Sequence, residues 1–169
     1  MGNREFQVTD DLLASKGQRF LNYIIDTVIT YSVIFGLFFI SALIADFLQA
    51  TSFLEWLRNI NSLEEYLIYF LIMIPYFTVM ESIFSKSIGK FITRTMVVLE
   101  DGSKPDSGTI FKRTLCRIIP FDNLSFLGNP SRGWHDSITD TYVVQKDDFE
   151  KSKELFYALD EIGINQDES

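Results

Sequence analysis

The stretch TVITYSVIFGLFFISALIA, residues 27–45, contains no charged side chain. As a helix of about 19 residues it rises roughly 28 Å, close to the hydrocarbon thickness of a bilayer. Asp26 stands directly before it, and Arg19 lies about two turns earlier. A carboxylate at or inside the edge of lipid is costly, so its presence marks a position with a job to do.

A second apolar run follows. From Tyr66 to Ser85 the only charge is Glu81, and Pro75 is expected to bend the helix because its missing N–H frees a carbonyl. Together the runs predict transmembrane helices over about 19–46 and 66–86. The first is too long, and too polar at its start, for a signal-peptide core. The small residues Ala42 and Ala45 do not form a cleavage pattern, so a retained anchor is expected.

Basic residues orient the hairpin. Arg4, Lys16 and Arg19 precede or open the first helix, and Lys86, Lys90, Arg94, Lys104, Lys112, Arg113, Arg117 and Arg132 follow the second, whereas the Gln49–Glu65 connection carries only Arg58. By the positive-inside rule both termini are expected in the cytoplasm; as a separate expectation, the membrane is the bacterial cytoplasmic (inner) one. The outer connection is expected to hold a short interfacial helix with Trp56 at headgroup level.

The chain of 169 residues is 47% hydrophobic and 15% aromatic with a net charge of -8, averages that merge two apolar blocks with charged ones. The acids gather near the C-terminus at Asp147, Asp148, Glu150, Glu154, Asp160, Glu161, Asp167 and Glu168, which argues against a nucleic-acid partner. One cysteine, Cys116, permits no internal disulfide and is read as an ordinary reduced thiol.

Beyond the second run, Lys86, Lys90 and Arg94 recur at helical spacing opposite Ile88, Phe91 and Ile92, as in a helix lying on anionic lipid. A second basic amphipathic pattern sets Ile110, Phe111, Leu115, Ile118 and Ile119 against Lys112, Arg113 and Arg117 and ends at Pro120. Met96–Leu99, closed by the Asp101-Gly102 turn signal, and Thr141–Gln145 read as strands whose pairing would give a small ribbon. Asp147–Ile162 is expected as one amphipathic helix packed on this chain's own basic segments, with Asn165–Ser169 frayed.

The expected fold class is therefore an all-α membrane protein: a two-helix transmembrane hairpin with cytoplasmic amphipathic interfacial helices and a small two-stranded β element. Its organisation divides into a cytoplasmic N-terminal segment (1–13), a membrane domain (14–145, with 87–145 interfacial or cytoplasmic) and an acidic tail helix (146–169).

On a helix turning 100° per residue, Arg19, Tyr23, Asp26 and Thr30 share a narrow stripe that should avoid lipid. Arg19 and Asp26 are about 10.5 Å apart along the axis, too far for direct contact to be expected but within reach of a bridge through Tyr23 or water. Ser32 and Gly36 form a small-xxx-small pair on the opposite side, suited to an oligomer contact. Glu81 shares its side with Phe70, Ile74 and Thr78, the face expected to meet the stripe. Gly89 is read as a hinge after the second helix, and Ser87-Ile88-Gly89-Lys90 lacks the leading glycine and trailing hydroxyl of a phosphate-cradling loop.

These residues resemble a known family. Arg19 opening the first membrane helix, Asp26 within it, the Ser87–Lys90 stretch, Val97–Gly102, Arg113 and Arg117, and Gly133-Trp134-His135-Asp136 followed by Thr141–Val144 are similar to the RDD membrane proteins, named for an arginine and two aspartates. Asp136 is the candidate second aspartate, and the resemblance covers roughly Ala14 to Gln145. It implies a membrane domain associated with transport of ions or other ligands, with sodium/proton exchange suggested for some members.

Two functions follow. In one, Arg19, Asp26, Glu81 and Asp136 serve proton or sodium movement, which requires an oligomer because two helices cannot enclose a pathway. In the other the same residues lock helix packing in a structural or accessory protein that binds a membrane or cytosolic partner. Catalysis is not expected. Adjacent His135 and Asp136 make a poor dyad, no second histidine supports a metal, and no cofactor is implied. Trp134 is read as an interface anchor and Asp136 as the partner of Arg113, Arg117 or Arg132. The expected partners are the lipid bilayer and either further copies of the chain or a membrane complex.

Overall fold

A computed structural model describes residues 5–128 and 131–167, with residues 160–167 described by backbone alone. Arg4 and residues 168–169 of the tail expected to fray lie outside the described residues, while Asn165–Asp167 are helical. Two long helices dominate, α1 (Lys16–Phe47) and α3 (Ser62–Phe84), joined through α2 (Thr51–Arg58). Both long helices open with reciprocal capping boxes. Ser15 and Gln18 satisfy each other's backbone N–H at α1, and Asn61 and Glu64 do so at α3, which fixes each start locally. The α3 helix runs on through Pro75.

Both helices are long and apolar enough to cross a membrane. Their burial is inverted relative to a soluble core. Phe35 and Leu71 are 73% and 74% exposed, whereas Asp26 is 3% and Glu81 0% exposed. The stripe turned inward on α1 is Arg19, Asn22, Asp26 and Thr30, so Asn22 takes the place expected for Tyr23. Gly36 faces open space and Ser32 is exposed, bonded to the carbonyl of Val28.

After α3 the chain turns at Ser85, whose φ of 57° is left-handed, into the one-turn helix α4 (Ile88–Ile92) and then β1 (Thr95–Leu99). Helices α5 (Ser107–Cys116), α6 (Asp122–Ser125) and α7 (Trp134–Ile138) lead to β2 (Thr141–Gln145) and the final helix α8 (Lys146–Asp167). The two expected strands do pair, antiparallel, with Val97 opposite Val143 and Val98 opposite Tyr142. Gly102, at φ 70°, makes the turn after β1, packed so closely on Phe6 that a Cβ would lie 2.8 Å from its ring.

An isolated two-stranded ribbon is marginal in water; here both faces are covered. Val97 and Val143 pack with Ala14 and Ile110, while Val98 and Val144 pack with Phe6, Leu12 and Phe149. The N-terminal segment also bonds to the ribbon, Val8 N–H donating to Glu100 O and Ala14 N–H to Val143 O, each at 2.8 Å. Phe149 and Phe156 of α8 meet Phe6 edge-on, with centroids 5.7 and 5.6 Å away. Thus α8 docks on an apolar platform, not on basic segments. Its polar ties are few: Lys153 Nζ to Gly102 O at 2.8 Å and an exposed Arg94–Asp147 pair at 3.3 Å. Leu155 and Leu159 stay exposed.

In each of the two basic amphipathic patterns one cation is turned inward. On α4, Lys90 is buried and Ile88, Phe91 and Ile92 face outward; on α5, Arg113 is fully buried while Phe111 and Leu115 are exposed. Only Lys112 of α5 keeps the outward orientation expected of its basic side. The reason is tertiary: carboxylates on other elements draw these cations inward.

Candidate functional site

A buried charge cluster joins the ends of α1 and α3 to the segment that follows them. Arg113 of α5 is its centre. Its guanidinium donates to Glu81 of α3 and to Asp136 of α7, with Nε 3.1 Å from both Asp136 Oδ1 and Thr141 Oγ1. Arg19 of α1 holds the other oxygen of Asp136, Nη1 to Oδ2 at 2.8 Å. The second oxygen of Glu81 receives Lys90 Nζ at 2.8 Å and Arg117 Nη2 at 3.2 Å. All four carboxylate oxygens of Glu81 and Asp136 therefore face cations in a site removed from water, where unpaired charge would be prohibitive.

The cluster sets the ionisation of the groups beyond the membrane helices. Burial alone would raise Asp136, but Arg19 and Arg113 hold it well below the usual carboxylate range. Burial opposes the charge of Arg113 too, and Glu81 with Asp136 more than compensate, so its pKa rises. Lys90 is lowered by burial against the attraction of Glu81. Burial likewise pushes His135 down to about 4 despite Asp136 beside it, leaving a neutral imidazole at pH 7. Its Nδ1 lies 2.6 Å from Asp122 Oδ2, and its backbone N–H donates to Asp122 Oδ1 at 2.8 Å. Asp122 thereby joins α6 to α7 and orients His135.

Asp26 does not join this cluster. Its Oδ1 accepts from Tyr76 Oη and Gly89 N–H, each at 2.8 Å, and its Oδ2 from Ser87 Oγ. It makes no ion pair with Arg19, through Tyr23 or otherwise; Arg19 is taken by Asp136. Nor does Glu81 meet the stripe of α1 directly; its partners come from α4 and α5.

Gly89 is the point of closest approach rather than a hinge. A Cβ there would lie 2.7 Å from Asn22 O and 2.9 Å from Asp26 Oδ2. The Ser87–Lys90 stretch thus clamps the buried carboxylates of both long helices, with Ser87 and Gly89 on Asp26 and Lys90 on Glu81. Sequence reasoning missed Asn22, which bonds to Thr93 and, at 3.0 Å, to Thr95; its place three residues beyond Arg19 was the available signal. It also missed Asp122, for which the local pattern offered none. No group of histidine, cysteine and carboxylate side chains suited to a metal occurs among the described residues.

A cleft of about 570 Å³ opens between α1, α3 and the α5–α6 segment. Arg19, Lys90, Arg113 and Arg117 line one end and aromatic residues, including Tyr31, Tyr66 and Tyr69, the other. Asp26 lies on its wall, whereas Glu81 and Asp136, the partners of these cations, are not among its lining residues.

No curated protein and no solved structure matches the chain. A family model described as RDD family matches residues 13–149, spanning both apolar helices, the whole cluster and the first turn of α8. The chain belongs to the RDD family.

Proposed function

We propose that this RDD family member is a structural or accessory membrane protein, whose buried charges fasten a cytoplasmic cap to a transmembrane hairpin so that the cap can present a partner-binding surface. The observation that carries the reading is Arg113, fully buried between Glu81 on a membrane helix and Asp136 on the cap. A carboxylate that cycles a proton or sodium ion must be free to exchange partners. Glu81 and Asp136 have cations on every oxygen, an arrangement suited to registry rather than turnover. Both termini lie in the cytoplasm in this reading, within a bacterial inner membrane. The exposed Phe121, Leu124, Leu127, Trp134 and Ile138 of the cap then rest on the bilayer interface.

Ion translocation by an oligomer keeps one observation in its favour: Asp26 lines the cleft and makes no ion pair among the described residues. Proteoliposomes separate the two readings. Registry predicts no sodium-dependent proton flux in the native chain, one stoichiometric partner on affinity capture from membranes, and a large loss of melting temperature in Glu81→Gln. Sodium-coupled flux in the native protein that disappears in a folded Asp26→Asn variant would replace registry with transport.

A further inference from the structure

We propose that the cleft between α1, α3 and the α5–α6 segment binds an acidic phospholipid, its phosphate seated on Arg19 and Arg117 and its acyl chains running along the aromatic wall. This goes beyond the registry reading, which concerns the ion pairs behind the cleft and makes no use of the space in front of them.

Two observations point to an anion. Four cationic side chains line the cleft, and Asp26 is the only carboxylate on its wall among the described residues. More specifically, the Nε atoms of Arg19 and Arg117 are both buried without a hydrogen-bond partner. Arg19 is 6% exposed and the side chain of Arg117 10%. A buried guanidinium N–H without an acceptor is costly, and two on residues that line one cleft favour a ligand whose oxygens can be met by a small turn of either guanidinium edge. Phosphate presents such oxygens in the geometry a guanidinium edge prefers. The Arg117 guanidinium is held face-on over the Phe77 ring, 4.2 Å from its centroid, so it is positioned before a ligand arrives.

The rest of the cleft indicates an amphiphile. From Arg19 to Tyr31 along α1 the wall rises about 18 Å into the apolar part of the helix. Along that path Tyr31 and Tyr69 meet with centroids 5.5 Å apart, and Phe70, Met73 and Ile118 complete the surface. A free phosphate would use only the cationic end; a phospholipid fills both.

The test uses the full chain, delipidated in a nonionic detergent and titrated separately with dioctanoyl phosphatidylglycerol, dioctanoyl phosphatidylcholine and inorganic phosphate. Native mass spectrometry counts bound ligand and a melting curve reports stabilisation. The expected result is one phosphatidylglycerol bound in preference to phosphatidylcholine, weakened about tenfold or more in Arg117→Gln and unchanged in Lys112→Gln, which removes an exposed charge outside the cleft. Should Arg117→Gln fail to fold, Arg117→Lys keeps the charge, lacks Nε and is still expected to weaken binding. Inorganic phosphate binding as tightly as phosphatidylglycerol overturns the lipid assignment in favour of a free anion. Equal binding of the two phospholipids, or an equal loss in Lys112→Gln, overturns the site. A failed registry reading shows instead in flux and melting of Glu81→Gln, which these titrations do not read.

Discussion

The charged junction and the apolar platform hold the same short ribbon by opposite physics. On one side Thr141 Oγ1 accepts from Arg113 in a cluster where each charge depends on a specific partner. On the other, Val98 and Val144 pack with Phe6, Leu12 and Phe149 in a core where shape and area suffice. Truncating an apolar side chain leaves a cavity, whereas removing one ion leaves its partners buried and uncompensated. The junction is therefore the more brittle region, and its response should depend on pH and on which partner remains.

The sharpest way to break the comparison is Arg113→Met, which leaves Glu81 and Asp136 without the cation they share and one oxygen of each buried and unpaired. It should cost about 4 kcal/mol of stability in detergent. Adding Glu81→Gln should recover part of the loss, and a double-mutant cycle that shows simple additivity would contradict the coupling. Phe149→Ala in the platform should cost about 3 kcal/mol. In contrast to Arg113→Met, that loss should be the same at pH 5 and pH 8 by chemical denaturation.

Acid sharpens the contrast further. His135 faces Asp122 of α6, Asp136 of its own helix, Arg113 of α5 and Arg117 just past the end of α5. Its folded pKa of about 4 lies below the ordinary 6.5, so between those values the unfolded chain binds the extra proton. The stabilisation is present above about pH 6.5 and is lost as pH falls toward 4, amounting to about 2 kcal/mol by pH 5. Stability against pH should show that slope, and His135→Gln should flatten it. Asp136, held low by Arg19 and Arg113, adds its own loss only below the usual carboxylate range.

Gly89→Ala probes the tight approach of α4 to α1. With Asn22 O 2.7 Å from the new methyl, it should cost about 1–2 kcal/mol and loosen the Asp26 clamp, visible as faster amide exchange at residues 87–90. The smallest effect belongs to the exposed Arg94–Asp147 pair, where Asp147→Ala should change stability by less than about 0.5 kcal/mol. A large effect there would mean that α8 is held by charge after all.

Much of the architecture was legible because its signals are local. Two long apolar runs, the short β-branched runs Met96–Leu99 and Thr141–Gln145, and the Asp101-Gly102 turn each report the conformation of their own segment. Arg19, Asp26, Glu81 and Asp136 stood out for a related reason: charges in or beside apolar helices, and in a family-like motif, invite a partner. Which partner was another matter. Arg19 and Asp26 share a helix face but never meet, while Arg19 and Asp136 meet across 117 residues of chain. The amphipathic rule failed on α4 and α5 because it assigns cations to the outside. Glu81 and Asp136 reverse that wherever their geometry allows the charge to be paired in the interior.

The amino-acid order by itself determined the two apolar helices, the ribbon and the presence of acids that must be buried, since chain stiffness and hydrophobic periodicity act over a few residues. Only the tertiary structure decided that Arg113 bridges Glu81 and Asp136, that Ser87 and Gly89 grip Asp26, and that Phe149 seats α8 on Phe6. Ion pairs and packing contacts form between whichever elements converge, and convergence depends on the whole chain rather than on any window of it.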